Sequence, residues 1–351
     1  MVYPLLFKPI FKEMVWGGQK MKLQLGLDAP YEKTGEAWSV SCRPKEMGIV
    51  ANGPLEGERL SFFLGKDDWL GTAASQISPF PLLVKIIDAA DDLSIQVHPD
   101  DLAAQRLEGQ KYGKAEMWHV MDAPEGGRLV LGLKDGVRKS EFTEAALSQS
   151  FDGLSGLLNY IPVKKGDTLF IPPGMIHAIT KGVMVAEIQQ SSDITYRVSD
   201  YGRLGLDGKP RELHVEKAAQ CADFSGKQRK SAVPGLCAGQ MTYLLSNRHF
   251  AVISLSLSQE AHFVSDPEKF FLFTCIDGEF SIISEGMSVS LTPGMTALAP
   301  AGLGSFSLRP AGRCEILKSF VPTALADFIE PLQKAGFSME EIQEKTAYEP
   351  H

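Results

Sequence analysis

At 351 residues, with 44% hydrophobic and 22% charged side chains, the chain exceeds what one core usually organises, so two domains are expected and disorder is not. A formal charge of −8 offers no basic footprint for nucleic acid, and no segment approaches the roughly 20 apolar residues of a membrane span. The 33 glycines and 21 prolines are spread along the chain and favour a turn-rich β protein over a helical bundle.

The five cysteines, Cys42, Cys221, Cys237, Cys275 and Cys314, form no CxxC pair and read as reduced thiols of a cytoplasmic protein. The apolar run at the N-terminus is short and broken by Pro4 and Pro9, unlike a signal peptide.

Two aromatic-glycine landmarks come first, Trp16-Gly17-Gly18 and Gly35-Glu36-Ala37-Trp38. Alternation from Ala37 to Cys42 predicts a half-buried strand, with Trp38 in the core. Glu36 reads first as an exposed carboxylate at a strand end and second as a pocket wall. Residues 59–72 predict a short helix and loop. Pro81–Ile87 and Leu93–Val97 then read as neighbouring strands joined by a turn over Asp88–Asp92. Residues two apart on a strand share a face, so Gln96 and His98 project together; such a pair is more often a hydrogen-bonded structural pair than half of a metal site.

After His98, Pro99-Asp100-Asp101 opens a helix that should stop at Gly109 or Gly113. A strand follows, entered at Glu116, in which Trp118 shares the face of Glu116 while His119 points away. Residues 140–150 predict a helix capped by Ser140, and Asn159–Val163 a strand.

The most informative segment is Gly166-Asp167-Thr168-Leu169-Phe170-Ile171-Pro172-Pro173-Gly174-Met175-Ile176-His177. Its layout of Gly, five residues, Pro-x-Gly, two residues and His resembles the second motif of the cupin superfamily. The turn residues would bend the chain so that His177 points into a barrel mouth. Gln96-x-His98 stands where the first cupin motif has His-x-His, and Glu116 follows later than usual. Two imidazoles, a carboxylate and an amide oxygen suit a borderline divalent ion, Zn²⁺ above all, with a position open for water or substrate.

With the blocks LSIQVHPDD (Leu93–Asp101), GKAEMWHV (Gly113–Val120) and AEIQQSSDITYR (Ala186–Arg197), the chain resembles the short bacterial form of type I mannose-6-phosphate isomerases. The likeness covers residues 1 to about 225 and, more loosely, the rest. It implies one Zn²⁺ per chain held by Gln96, His98, Glu116 and His177, Gln96 being the least constant ligand. It also implies an active-site arginine at Arg197 and pocket residues at Lys85, Ser94, Lys114 and Glu187, with Trp16 and Glu36 near the substrate. The implied activity interconverts mannose 6-phosphate and fructose 6-phosphate, small sugar phosphates, through an enediol. Lys85, inside an apolar strand, needs a polar partner or cavity and is a candidate for phosphate. Lys114, Glu187 and Asp193 are the proton-handling candidates, since burial and neighbouring charge tune such groups toward neutral pH. Long members of the family have His-Lys-Pro-Glu where this chain has Gly113-Lys114-Ala115-Glu116, and Ile179 replaces a common aromatic.

Residues 211–221 predict a helix and 224–234 a polar linker. Beyond lie strand-like runs at Ala251–Leu257, Phe270–Cys275, Phe280–Ile283 and Met287–Leu291. Aligning Gly166 with Gly294 sets Thr168 on Thr296, Pro172 on Pro300, Gly174 on Gly302 and His177 on Ser305, an internal repeat that has lost its ligand. His249 and His262 read as ordinary histidines, and Ser338 to Glu341 as a capping box opening a last helix. The expected fold is mainly β: two cupin-type jelly-roll barrels with a few short helices, the second barrel lacking metal ligands. The expected boundaries are a catalytic domain over 1–235, a degenerate barrel over 236–322 and a helical tail over 323–351. A cupin oxygenase using Fe²⁺ and a non-catalytic sugar-binding cupin are the competing functions.

Overall fold

The structure, a computed structural model, describes residues 2–148, 151–225 and 232–349. In chain order the first strands are β1 (Leu5–Leu6), β2 (Ile10–Gly18), β3 (Thr34–Val40), β4 (Leu82–Asp88), β5 (Ile95–Val97) and β6 (Glu116–Asp122). Then come β7 (Arg128–Leu133), β8 (Leu158–Pro162), β9 (Thr168–Ile171), β10 (His177–Ile179), β11 (Met184–Gln190) and β12 (Tyr196–Ser199). Strands β2-β3-β4-β11-β6-β9 make one sheet and β12-β5-β10-β7-β8 a second.

The two sheets face each other across a shared interior. Ile87, Trp118, Val120, Leu169 and Val185 of the first pack with Leu129, Leu131 and Ile179 of the second. The opposite face of the first sheet is covered as well. Val84, Ile86, Met117, Ala186 and Ile188 join Val252, Leu272, Leu298 and Leu317 of the C-terminal half in one core. Leu82, Val84 and Ile86 of β4 therefore enter the core shared with the C-terminal half, while Ile87 and Lys85 face the interior between the two sheets, and all seven of its residues are buried.

The C-terminal half repeats the arrangement. A large sheet contains Leu236–Ala238, Met241–Ser246, Ala251–Leu257, Phe271–Asp277, Thr296–Ala299 and Cys314–Phe320, and a smaller one Ala261–Val264, Phe280–Ser284, Met287–Leu291 and Ser305–Pro310. Ile253, Phe273 and Ile316 of the large sheet meet Ile282, Leu291 and Leu308 of the small one. The tail helices Ile329–Lys334 and Met339–Lys345 seal this core with Leu332 and Ile342. The last begins with the expected capping box: Ser338 Oγ accepts from the Glu341 N–H, and Glu341 accepts from the Ser338 N–H. The short strand β1 pairs with Thr296–Ala299, so the N-terminus is woven into the C-terminal sheet.

Several local expectations are corrected. The strands β4 and β5 are not neighbours; they lie in the two facing sheets, because the connection from Ala89 crosses between layers. The strand β3 is not half-buried: all of it except Glu36 is buried, since both its faces are covered. Ser140 lies inside the helix Lys139–Leu147, whose preceding extended residue is Arg138, and makes no cap there. The helix expected from 211 starts only at Val215, because the His214 N–H is tied to the Arg197 carbonyl. Most of the stretch read as a linker over 224–234, and residues 149–150 of the expected helix, lie outside the described residues.

Candidate active site

Strand register assembles the site in two rows. In the second sheet Gln96 stands opposite His177 on one side and Arg197 on the other. In the first sheet the row runs Trp38, Lys85, Glu187, Trp118 across β3, β4, β11 and β6. Directly opposed residues share a face, so each row projects as a unit into the space between the sheets. Glu116 precedes Trp118 by two residues and joins the same face.

The turn before β10 delivers His177. Gly174 has φ +86°, a left-handed conformation that side chains resist, and an added Cβ would come within 2.9 Å of the Cys221 carbonyl. Its N–H donates to the His98 carbonyl at 2.9 Å, so the bend carrying one imidazole is pinned to the backbone of the other.

At the floor of the cleft, donor atoms of His98, Glu116 and His177 lie within 4.8 Å of one another, and all three residues are buried. The Nδ1 atoms of His98 and His177 lie 2.7 Å from the Ile194 carbonyl and 2.8 Å from the Met175 carbonyl, contacts that require Nδ1–H and leave both Nε2 lone pairs facing inward. Burial, with Lys114 nearby, holds the His98 imidazole below its ordinary pKa; burial, with His98, brings that of His177 down to about 3. Both rings are therefore neutral at neutral pH. Burial alone would raise the Glu116 carboxyl, yet Lys114 and the two histidines hold it well below the usual range. Neither Glu116 oxygen accepts a hydrogen bond of ordinary geometry. The Lys114 ammonium nevertheless stands 2.5 Å from Glu116 Oε1 and 3.1 Å from His98 Nε2, so a positive charge already sits among these atoms. Neutral imidazoles and an under-satisfied carboxylate gathered around a cation are a donor set that fits a divalent metal. The Gln96 amide completes the group, 3.3 Å from His177 Nε2; as placed it turns its nitrogen inward, and a ligating Gln96 needs the amide rotated by half a turn.

Above this floor lies a cleft of about 400 Å³. Trp16, Glu36, Lys85 and Ser94 line it, as do Lys114, Glu187, Asp193 and Arg197. These eight residues nominated from the sequence, and Gln96 with them, thus line one space, whereas His98, Glu116 and His177 are buried behind its lining. Lys85, only 5% exposed, lies 3.5 Å from Glu36 and 3.3 Å from Glu187. Burial opposes its charge, but the two carboxylates outweigh it and hold the ammonium above its ordinary pKa. Glu36 is no exposed strand-end acid: it accepts from Trp38 Nε1 at 2.5 Å, and Lys85 keeps it ionised against the cost of burial. Trp38, expected in the core, lines the cleft with Lys85 over its ring at 4.8 Å. Glu187 differs from Glu36. Burial and the nearby Glu116 push its pKa up, and its Oε2 has no hydrogen bond of ordinary geometry, while Oε1 accepts from Trp118 Nε1 at 2.8 Å.

The other end of the cleft is cationic. Arg197 donates to Ser94 Oγ and to the Glu212 carbonyl, and Ser94 Oγ in turn lies 3.4 Å from Gln96 Oε1. Beside it, Asp200 is gripped by Arg211 and Arg203. Arg211 and His214 line the cleft too, although neither was nominated from the sequence, because the polar stretch 211–221 read as one helix. Asp193 is paired with Arg43 at 2.5 Å, a partner 150 residues away with no local signal. His119 points away from the cleft, as the strand alternation requires, toward Thr168 and Glu315.

The family model "phosphomannose isomerase type I, catalytic domain" matches residues 5–121, and "mannose-6-phosphate isomerase, cupin domain" matches 240–321. The chain is 36% identical over 322 residues to the probable mannose-6-phosphate isomerase GmuF of Bacillus subtilis, covering 91% of this chain and 99% of that one. It is 37% identical over 262 residues to the mannose-6-phosphate isomerase of Streptococcus mutans, covering 74% and 80%. The crystal structure of the mannose 6-phosphate isomerase from Bacillus subtilis superposes with a TM-score of 0.80 at 33% identity, covering 90% of this chain and 99% of that one. Similarity of this extent over nearly the whole length, together with both matched domains, assigns the chain to the type I mannose-6-phosphate isomerase family.

Proposed function

We propose that the protein interconverts mannose 6-phosphate and fructose 6-phosphate, with one Zn²⁺ held by His98, Glu116, His177 and, with its amide turned, Gln96. The observation that carries this reading is the meeting of three buried donor groups within 4.8 Å at the floor of a cleft whose far end is cationic. A dication there would supply electrophilic stabilisation of the negative charge that builds on the sugar oxygens.

The chain's own residues do the rest. Arg197 and Arg211 anchor the phosphate, because a guanidinium fork matches phosphate oxygens and remains charged even where burial lowers its pKa, as it does for Arg197. Lys85 is already engaged by two carboxylates, which favours a place beside the sugar hydroxyls over the phosphate site first expected of it. Glu187 has the raised pKa of a base that moves the proton between C2 and C1, and its Oε2 is held by the Lys85 ion pair at 3.3 Å without a hydrogen bond of ordinary geometry. Lys114 and Asp193, from opposite sides, face the same space and serve the hydroxyl protons. Trp16, Trp38 and Trp118 bound the cleft and limit water around the enediol.

We read the two pairs of facing sheets as two cupin-type barrels, over 1–235 and 236–322, followed by the tail over 323–351. In support, Thr296–Ala299 and Ser305–Pro310 occupy in the second the places of β9 and β10 in the first, with Ser305 at the position of His177. A coupled assay for fructose 6-phosphate formed from mannose 6-phosphate tests the proposal. Wild-type protein should turn over without consuming oxygen, and His177→Ala should lose both bound metal and turnover. Oxygen uptake, or sugar-phosphate binding without isomerisation, would replace this reading with an oxygenase or a binding protein.

A further inference from the structure

Lys114 is carried by a segment whose backbone is tied down residue by residue. The Gly113 N–H donates to Asp101 Oδ1 at 2.8 Å, the Lys114 N–H to the Pro99 carbonyl at 2.9 Å, and the Ala115 N–H to Gln190 Oε1 at 2.9 Å. Gly113 packs so closely on Pro99 and Asp100 that an added Cβ would lie 2.4 Å from the Asp100 backbone. With its main chain clamped, only the side chain of Lys114 is left to reach Glu116 and His98.

The clamp depends on a residue of the C-terminal half. Gln190 is buried, and because its Oε1 is committed to Ala115, its amide nitrogen has two hydrogens to place. One goes to Asp101 Oδ1 at 2.9 Å, and the other faces His249 Nδ1 at 3.0 Å, which accepts it in the tautomer that carries the ring hydrogen on Nε2, the nitrogen 3.1 Å from Arg248 Nε. His249 sits in the tight loop between Met241–Ser246 and Ala251–Leu257. There Asn247 Oδ1 accepts from the N–H groups of both His249 and Phe250 and fixes the loop. Without the imidazole, Gln190 would keep a buried amide hydrogen with no acceptor, a state that favours rotation of the amide and release of Ala115 and Asp101.

We propose that His249 is a positioning residue for Lys114, acting across the boundary between the two halves through Gln190 and Asp101. The C-terminal half, which contributes none of the three clustered donors His98, Glu116 and His177, is thereby part of the machinery that sets the cleft. This inference rests on the reading of Lys114 as a proton-handling residue.

The test compares His249→Leu, His249→Asn, Gln190→Leu and Lys114→Met in the full-length metal-loaded protein, reading kcat, KM for mannose 6-phosphate, bound metal and melting temperature. Asn offers a side-chain oxygen near the place of Nδ1. The expected result is that His249→Leu and Gln190→Leu each lower kcat about tenfold, the scale of a lost supporting hydrogen bond. KM should stay within about twofold, since an interaction made only in the transition state is removed. Bound metal should be unchanged, and His249→Asn should recover most of the loss. If Lys114→Met turns over normally, the reading of Lys114 fails, and this inference with it. If Lys114→Met is inactive while His249→Leu keeps wild-type kcat, or is impaired to the same degree as His249→Asn, the inference is overturned and the reading of Lys114 stands. Loss of metal or a KM defect in His249→Leu would also overturn it.

Discussion

Lys85 and Glu187 stand directly opposite one another on β4 and β11, with the ammonium 3.3 Å from the carboxylate and both residues buried. Each has a further charged neighbour, Glu36 for Lys85 and Glu116 for Glu187, so the cleft wall is a chain of charges rather than one isolated pair. Replacing Lys85 by Met leaves Glu36 and Glu187 facing the same buried space without their nearest counter-charge, with only the more distant Lys114 to offset them. That should cost about 3–5 kcal/mol in urea unfolding, the scale of breaking a buried pair from one side. The double variant Lys85→Met with Glu187→Met should be less destabilised than the sum of the two single changes, because neither then leaves the other unpaired.

The Arg197 side chain reaches toward His177 and Gln96 through Ser94, which touches both Arg197 and Gln96, while the backbones of Arg197 and Gln96 are partners across β12 and β5. Arg197→Ala should therefore leave bound metal unchanged and lower kcat/KM for mannose 6-phosphate. A lost charged hydrogen bond is worth about 1.5–3 kcal/mol, or roughly 10- to 100-fold. Steady-state kinetics beside metal analysis of the same preparation checks this. Loss of metal would contradict an anchoring role for the arginine.

Asp200 supplies a pH dependence of stability. Burial alone would raise its pKa, but hydrogen bonds from Arg211 and Arg203 bring it below the ordinary value. A carboxyl depressed in the folded state stabilises the fold above its unfolded pKa, near about 4, and that contribution is lost as pH falls through the lower folded value. Asp200→Asn should accordingly be less stable than wild type at pH 7, with the gap closing in acid below about pH 4. Urea melts of both proteins from about pH 3 to about pH 7 read the gap directly.

Ile86 belongs to the core shared by the first sheet and the C-terminal half, among Leu272, Leu298 and Leu317. Ile86→Ala should cost about 2–5 kcal/mol, as other large-to-small changes in tight cores do. Because the core is shared, unfolding should remain a single transition monitored from either half. Separate transitions would show that the two halves are stabilised independently.

How far the sequence revealed this site follows from the range of the signals. Gln96, His98 and His177 were legible because strand alternation and the Pro-Pro-Gly bend are local and leave a fixed spacing. Trp118 was half legible: alternation set it beside Glu116, yet nothing local marked it as the donor to Glu187. Glu36 was misjudged, and the buried Trp38 was not recognised as a cleft wall as well, because burial of both faces of β3 hides the period that distinguishes core from cleft. Arg211 and His214 were hidden inside a polar stretch with helical composition, and their place depends on the His214 N–H bond to Arg197. His249 read as ordinary, since its partners Gln190 and Asp101 lie 59 residues away and farther.

Metal titration of EDTA-treated protein tests the central claim most directly, following mannose 6-phosphate turnover and bound Zn²⁺ together. Turnover should vanish on chelation, return in proportion to Zn²⁺ bound, and level off at one ion per chain. Turnover that persists in fully stripped protein, or that stays absent when one Zn²⁺ per chain is bound, would contradict a catalytic role for the His98, Glu116 and His177 cluster.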